Sequence, residues 1–196
     1  MADRKPLTAR GEATWQRILD AATAEFAQHG FAGARIERVT SAARTNKAQL
    51  YGYFGTKDEL FESVLAASMR QIVDLATIDA TDLPGWAVRL YDEYLVRPEI
   101  VRLATWSRLE RSPQGHLVAE PERMDAEKLA AIAAAQEAGI VVAGDPFDVM
   151  TMVIAMSMAW SPVSTVYAAH SDEDAAEHER RRDFLREAVR RAVAPA

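Results

Sequence analysis

Apolar positions recur along the whole chain at three- and four-residue intervals, and no stretch alternates residue by residue as a half-buried strand does. Trp15, Ile18, Leu19, Ala22 and Phe26 form one stripe of an amphipathic helix that Gly30 is placed to end. Ile36, Val39, Thr40 and Ala43 repeat the spacing over a short second helix. Asn46, followed three residues later by Gln49, has a capping-box pattern and opens a third, whose stripe is Leu50, Tyr53 and Phe54. Gly55 breaks it, and Thr56-Lys57-Asp58-Glu59 starts a long fourth helix with Leu60, Phe61, Val64, Leu65, Ser68 and Ile72 inward. Asp82-Leu83-Pro84-Gly85 starts a fifth. Arg97-Pro98 ends that one at Val96 and begins the next, which carries Ile100, Val101, Leu103, Ala104, Trp106 and Leu109. An Ala-rich helix is expected from about Glu122 to Ala138, another from Asp145-Pro146, and a last one, capped from Ser171, to about Val193. The pattern predicts an all-α protein of nine helices: a three-helix head over 11–57 and a six-helix body over 58–196, with 1–10 as a flexible basic arm.

Charge sharpens that division. The net charge of the 196 residues is −6, but residues 1–57 hold nine Lys or Arg against five acids, a surplus of +4, and the remainder carries −10. Such an imbalance points to a polyanion-binding end and a body that polyanions avoid; chance clustering on a solvated face would read the same way. There is no cysteine, so disulfides, thiolate nucleophiles and cysteine-ligated metals are excluded. The apolar run from Met150 to Trp160 falls short of the roughly 20 residues a bilayer needs. The N-terminal residues lack the apolar core of a signal peptide, and a cytoplasmic protein is expected. His170, Asp174 and His178 lie four apart, but His170 falls before the expected cap, and the nearby acids suit a helix N-terminus better than a metal. Nothing points to a cofactor.

Residues 36–54 read as two short helices around Arg44-Thr45-Asn46, which is helix-turn-helix spacing. In that motif the second helix enters the major groove by its first turn, here Thr45, Asn46, Lys47, Ala48 and Gln49. Gln pairs with adenine N6 and N7, and Lys reaches guanine O6 and N7 or a phosphate. Tyr51 and Lys57 suit phosphates. Helical bundles also contain such helix pairs without binding DNA.

Further residues narrow the choice. Ile18-Leu19-Asp20-Ala21-Ala22, Phe26-Ala27-Gln28-His29-Gly30-Phe31 and Leu50-Tyr51-Gly52-Tyr53-Phe54-Gly55-Thr56-Lys57-Asp58-Glu59-Leu60 closely resemble, in register, the N-terminal domain of TetR-family transcriptional regulators. The match spans about residues 14–65 without a gap. The resemblance implies an all-α homodimer with a DNA-binding head and a ligand-responsive body. It places Asn46, Lys47, Gln49, Tyr51, Tyr53 and Lys57 in contact with an operator duplex, and Arg35 on its backbone. Two departures stand out. Ala43-Arg44-Thr45-Asn46 replaces the usual A-G-V-S, so a left-handed turn residue would cost about 1 kcal/mol, unless the turn is reshaped; Arg44 is also a candidate phosphate contact. Ala34-Arg35 replaces a Ser/Thr cap worth about 1 kcal/mol.

In the body, Val149 to Trp160 is apolar around nearly its whole circumference and calls for burial on every side. The resembled family pairs its last two helices across the dimer, which fits about 147–169 and 172–193, with Pro162 kinking or ending the first. Large adaptable side chains serve cores as readily as pockets. In a family whose body holds a small-molecule cavity, Met69, Ile72, Trp86, Trp106, Met152 and Met156 are candidates to line it. Tyr91, Gln136 and Glu110 are candidates for polar specificity. The sequence therefore leads to a repressor released from a palindromic operator by a small, largely apolar effector. The alternatives are a helical ligand carrier whose head no longer binds DNA and, with less chemistry behind it, an all-α enzyme.

Overall fold

The computed structural model describes residues 8–111, 114–116 and 125–195; the side chains of 72–75 lie outside that description, Ile72 among them. Among the described residues there are nine α-helices and no strand: α1 (Ala9–Gly33), α2 (Ile36–Ala42), α3 (Lys47–Phe54), α4 (Lys57–Leu75), α5 (Leu83–Val96), α6 (Pro98–Trp106), α7 (Ala126–Glu137), α8 (Pro146–Ser157) and α9 (Ala175–Val193). A π-type turn, Ser107–Arg111, continues α6. The chain forms two compact units, residues 1–69 with 102–120, and 70–101 with 121–196. The first part of α4 falls in the first unit. The reason is packing: Leu60, Phe61, Val64 and Leu65 are buried with Trp15, Ile18, Phe26, Val39 and Leu50 in one core, which the three head helices do not close alone.

That first core is aromatic at both ends. Trp15 stacks on Phe54 at 5.3 Å, and Phe26, Phe31 and Phe61 meet with centroids 5.0–6.2 Å apart. Most of the arm expected over 1–10 lies outside the described residues. Its end does not stay free: Thr8 caps α1 by accepting from the Gly11 amide, and Arg10 is already helical. Gly30 interrupts α1 as its φ of +68° requires, but the chain resumes a helical turn to Gly33. The kink is held from α6 and the turn after it. Arg102 Nε and Trp106 Nε1 donate to the Ala27 carbonyl at 2.8 and 3.3 Å, and Glu110 accepts from the Ala32 amide at 2.7 Å. These contacts satisfy backbone groups that the break in the helical ladder releases. Leu109, expected on an inner face, is 68% exposed, because the regular helix stops at Trp106.

In the second unit α5 packs on α8 and α9, and α7 on α8, around Trp86, Leu90, Tyr91, Ile132, Val153, Leu185 and Val189. Two boundaries correct the sequence-based expectation. α8 ends at Ser157 rather than near 169, and Pro162, which lacks a donor and disfavours helical backbone at Ser161, keeps the helix from resuming. Successive turns follow, with Ser161 N on Met158 O and Ser164 N on Ser161 O, both at 2.9 Å. The last helix is capped by Asp174, which accepts from the Ala176 amide at 2.9 Å, and not by Ser171. The helix expected from Glu122 is described only from Ala126.

Candidate nucleic-acid interface

α2 and α3 are short because each has only a narrow apolar stripe to bury: Ile36, Val39 and Thr40 on one, Leu50 and Phe54 on the other. Between those stripes only Ala43 is buried. Arg44, Asn46, Lys47, Ala48, Gln49 and Tyr51 are exposed, and Thr45 is half-buried. The opening turn of α3 thus stands clear of the core with its cap in place, Asn46 Oδ1 accepting from the Gln49 amide at 2.9 Å. The Gln49 side chain does not return the capping bond. Its Oε1 accepts instead from the Thr45 hydroxyl at 2.6 Å, which leaves its amide nitrogen pointing onward as a donor.

The turn is built in the left-handed form. Arg44 has φ +51° and is the one non-glycine residue with positive φ among those described. Amides fix it from inside: Ala43 N on Val39 O, Arg44 N on Ser41 O and Thr45 N on Thr40 O, at 2.9, 3.2 and 3.0 Å. From outside, Arg17 of α1 donates to the Ala43 carbonyl at 3.2 Å and to Thr14 Oγ1 at 3.0 Å. The backbone conformation that glycine favours is retained with an arginine in it, and the guanidinium of Arg44 stands in solvent.

The missing cap of α2 is made good from another helix. No side chain of α2 or of its Arg35 cap bonds the first turn, but Glu25 of α1, almost fully buried, accepts from the Arg35 amide at 2.8 Å. The same carboxylate takes Arg38 Nε at 2.8 Å and Arg38 Nη2 at 2.5 Å, while Arg38 also donates to the Gly33 carbonyl. Burial alone would raise the Glu25 carboxyl. The Arg38 hydrogen bonds and charge, with the Arg35 amide, hold it below the usual carboxylate range. This tie sets the angle at which α2, and through the turn α3, leaves α1.

The residues expected at DNA divide into two groups. Arg35, Arg44, Asn46, Lys47, Gln49 and Tyr51 share the exposed side, with Thr45 half-buried among them; Lys47 Nζ is paired to Glu37 of α2 at 2.6 Å. That pair lowers the Glu37 carboxyl and raises the ammonium. Tyr53 packs partly against the core. The ammonium of Lys57 is turned inward, donating to the Ala34 carbonyl at 2.7 Å and lying 4.8 Å from the Phe31 ring centre. α4 carries the full capping box: Thr56 N donates to Glu59 Oε2 and Glu59 N to Thr56 Oγ1, at 2.8 and 3.2 Å.

The residues expected to line a cavity are distributed over both units. Met69, Trp106 and Glu110 belong to the first unit, where Trp106 and Glu110 hold the α1 kink. In the second, Trp86 is fully buried with Nε1 on the Ala76 carbonyl at 2.8 Å, and Gln136 ties the Val142 and Gly144 carbonyls. Met152 is exposed, Met156 half-buried. Tyr91 is buried and its hydroxyl lies 2.7 Å from His178 Nδ1. The sequence reading did not foresee this pairing of α5 with α9. His178 therefore faces Tyr91 rather than Asp174, which caps α9, and no set of three metal-ligating side chains converges among the described residues.

A capped, outward-facing second helix on a three-helix head, joined to a separate helical unit, defines a helix-turn-helix regulator. Residues 18–64 match the family described as bacterial regulatory proteins, tetR family, and residues 82–191 match the tetracyclin repressor-like C-terminal domain. The chain is 41% identical over 160 residues, 80% of each sequence, to the HTH-type transcriptional repressor SCO4008 of Streptomyces coelicolor. It is 34% identical to the HTH-type transcriptional repressor NicS of Pseudomonas putida over 110 residues, 52% of this chain and 51% of that one. The solved structure of SCO4942 from Streptomyces coelicolor superposes with a TM-score of 0.75 at 34% identity, covering 92% of this chain and 98% of that one. The chain belongs to the tetR family and is a DNA-binding transcriptional regulator.

Proposed function

We propose that this regulator is a repressor: a homodimer whose two α3 helices read the half-sites of a palindromic operator and whose second unit takes a small effector that releases the DNA. The observation that carries it is the exposed, Asn46-capped first turn of α3, beside a turn that adds the free guanidinium of Arg44. Lys47 and the amide of Gln49 suit base edges, while Arg35, Arg44, Thr45 and Tyr51 suit phosphates. For Lys57 and Tyr53 we infer a role in holding the head together, since one is bonded to Ala34 and the other is packed on the core. The two similar proteins named as repressors support the sign of regulation.

Selection of bound duplexes from random DNA tests the reading. Enrichment of a palindrome, with affinity falling steeply as salt rises, is the expected result. A chain that enriches no sequence and shows no salt-dependent complex would instead be the carrier.

A further inference from the structure

Among the described residues, a few buried side-chain nitrogens and oxygens lack a hydrogen-bond partner, and three of them, His178 Nε2, Arg181 Nη1 and Ser161 Oγ, belong to the second unit. His178 and Arg181 are three residues apart on one face of α9 and are 5% and 4% exposed. Both address Tyr91 of α5, whose hydroxyl lies 2.7 Å from His178 Nδ1 and also interacts with the Arg181 guanidinium. With the Tyr91 hydroxyl giving its proton to Nδ1, the ring's hydrogen lies on Nε2. His178 Nε2 and Arg181 Nη1 are then two buried donors with nothing to receive them, a condition costly enough to call for an acceptor.

The surroundings state what kind of acceptor. Arg181 is already neutralised: its Nη2 meets Glu173 at 2.6 Å and Glu177 at 4.0 Å. A further carboxylate would enter beside two acids, whereas an uncharged carbonyl would not. Two further rings belong to the cluster. The Trp160 ring lies edge-on to Tyr91 with centroids 5.9 Å apart, and the Tyr167 ring sits 5.2 Å from the Arg181 guanidinium carbon. Trp160 is half-buried and Tyr167 49% exposed, so the aromatic edge of this cluster reaches the surface.

We propose that His178 and Arg181 form the polar end of an effector site for flat, uncharged aromatic or heteroaromatic molecules bearing a ring carbonyl or amide. The proposal rests on the second unit being the effector-binding body, and narrows the largely apolar effector to one with a neutral acceptor at its edge.

Calorimetry on the full-length, DNA-free protein tests it with four probes of similar size: coumarin, isoquinolin-1-one, naphthalene and 1-naphthoate. The expected result is that the two carbonyl probes bind at least tenfold more tightly than naphthalene and naphthoate. That preference should disappear in His178→Phe and in Arg181→Lys, which keeps the charge towards Glu173 but removes the second donor. Tyr91→Phe, the mildest change, should weaken carbonyl binding by releasing the ring tautomer, and it carries the comparison if another variant loses its helical circular dichroism. Absence of carbonyl-probe binding, equal binding of naphthalene or naphthoate, or an undiminished preference in folded variants overturns the proposal. Operator binding, measured separately, keeps the two readings apart. A protein that binds its operator but none of the probes loses only this site, and one that binds the carbonyl probes but no DNA loses only the repressor reading.

Discussion

At the level of single residues, the head is set by polar side chains that reach backbone groups far along the chain. Arg17 holds the Ala43 carbonyl, Glu25 the Arg35 amide and Lys57 the Ala34 carbonyl, across 26, 10 and 23 positions. None of these ties is legible in sequence, because a polar residue on a helix surface gives no sign of which distant amide or carbonyl it meets. The exposure of the first turn of α3 was legible, since the apolar stripe of that helix leaves one side for it. Lys47→Ala or Gln49→Ala should weaken specific operator binding by about 1–3 kcal/mol in gel-shift titration, with little change in the melting curve. Arg44 carries two effects that separate experimentally. Its φ of +51° is a conformation glycine adopts without strain, so Arg44→Gly should stabilise the fold by about 1 kcal/mol, read as a higher denaturation midpoint at unchanged slope. The same variant should lose about one unit of salt slope in DNA binding, as removal of one phosphate contact does. Glu25→Gln should destabilise by about 1–3 kcal/mol, because Arg38 then faces a weaker acceptor near a buried position.

Among the elements, hydrophobic spacing located all nine helices, but their ends were set by partners the spacing does not name. Gly30 shows the difference. Its break was visible as a glycine after Phe26, whereas the reason the chain continues to Gly33 is a carboxylate and an indole from much later in sequence. A β-carbon at Gly30 would lie 2.3 Å from Glu110 Oε1 and 2.9 Å from the Trp106 ring, on backbone that already disfavours one. Gly30→Ala should therefore lower the melting temperature, whereas Gly52→Ala, inside α3 with nothing within 4 Å, should leave it unchanged or raise it. The last helix carries the clearest dependence on acid. Hydrogen bonds from Arg181 to Glu173 and from Arg190 to Glu187 hold each carboxyl at about 2, against an ordinary 4.5. A carboxyl held lower in the folded than in the unfolded chain adds stability that is complete above 4.5 and is lost as pH falls towards 2. Acid titration followed by circular dichroism should show stability falling through that window, and Glu173→Gln should flatten the fall.

For the molecule as a whole, association is argued from apolar side chains that the single chain leaves in water. Val166, Phe184 and Met152, all on α8, α9 or the segment joining them, are 92, 66 and 58% exposed. Part of Phe184 is used, its ring meeting Trp160 at 6.3 Å, and the rest faces outward. Such a set is unusual on a monomer and fits an isologous contact between two copies. The all-round apolarity of α8 suggested this region from sequence, but the helix ends at Ser157, and Val166 lies in the turns that follow it. Pairing also has a consequence at the DNA. In the proposed dimer a second head tethered to the first binds at high effective concentration, and a palindrome is held about 10²–10⁴ times more tightly than a half-site. Phe184→Glu places like charges opposite each other across a two-fold contact without touching the head. It should give a monomer in sedimentation equilibrium with helical content retained, and its affinity for the palindrome should drop to that for one half-site. A variant that stays dimeric, or a monomer that still prefers the palindrome, would place the contact elsewhere or remove the need for it.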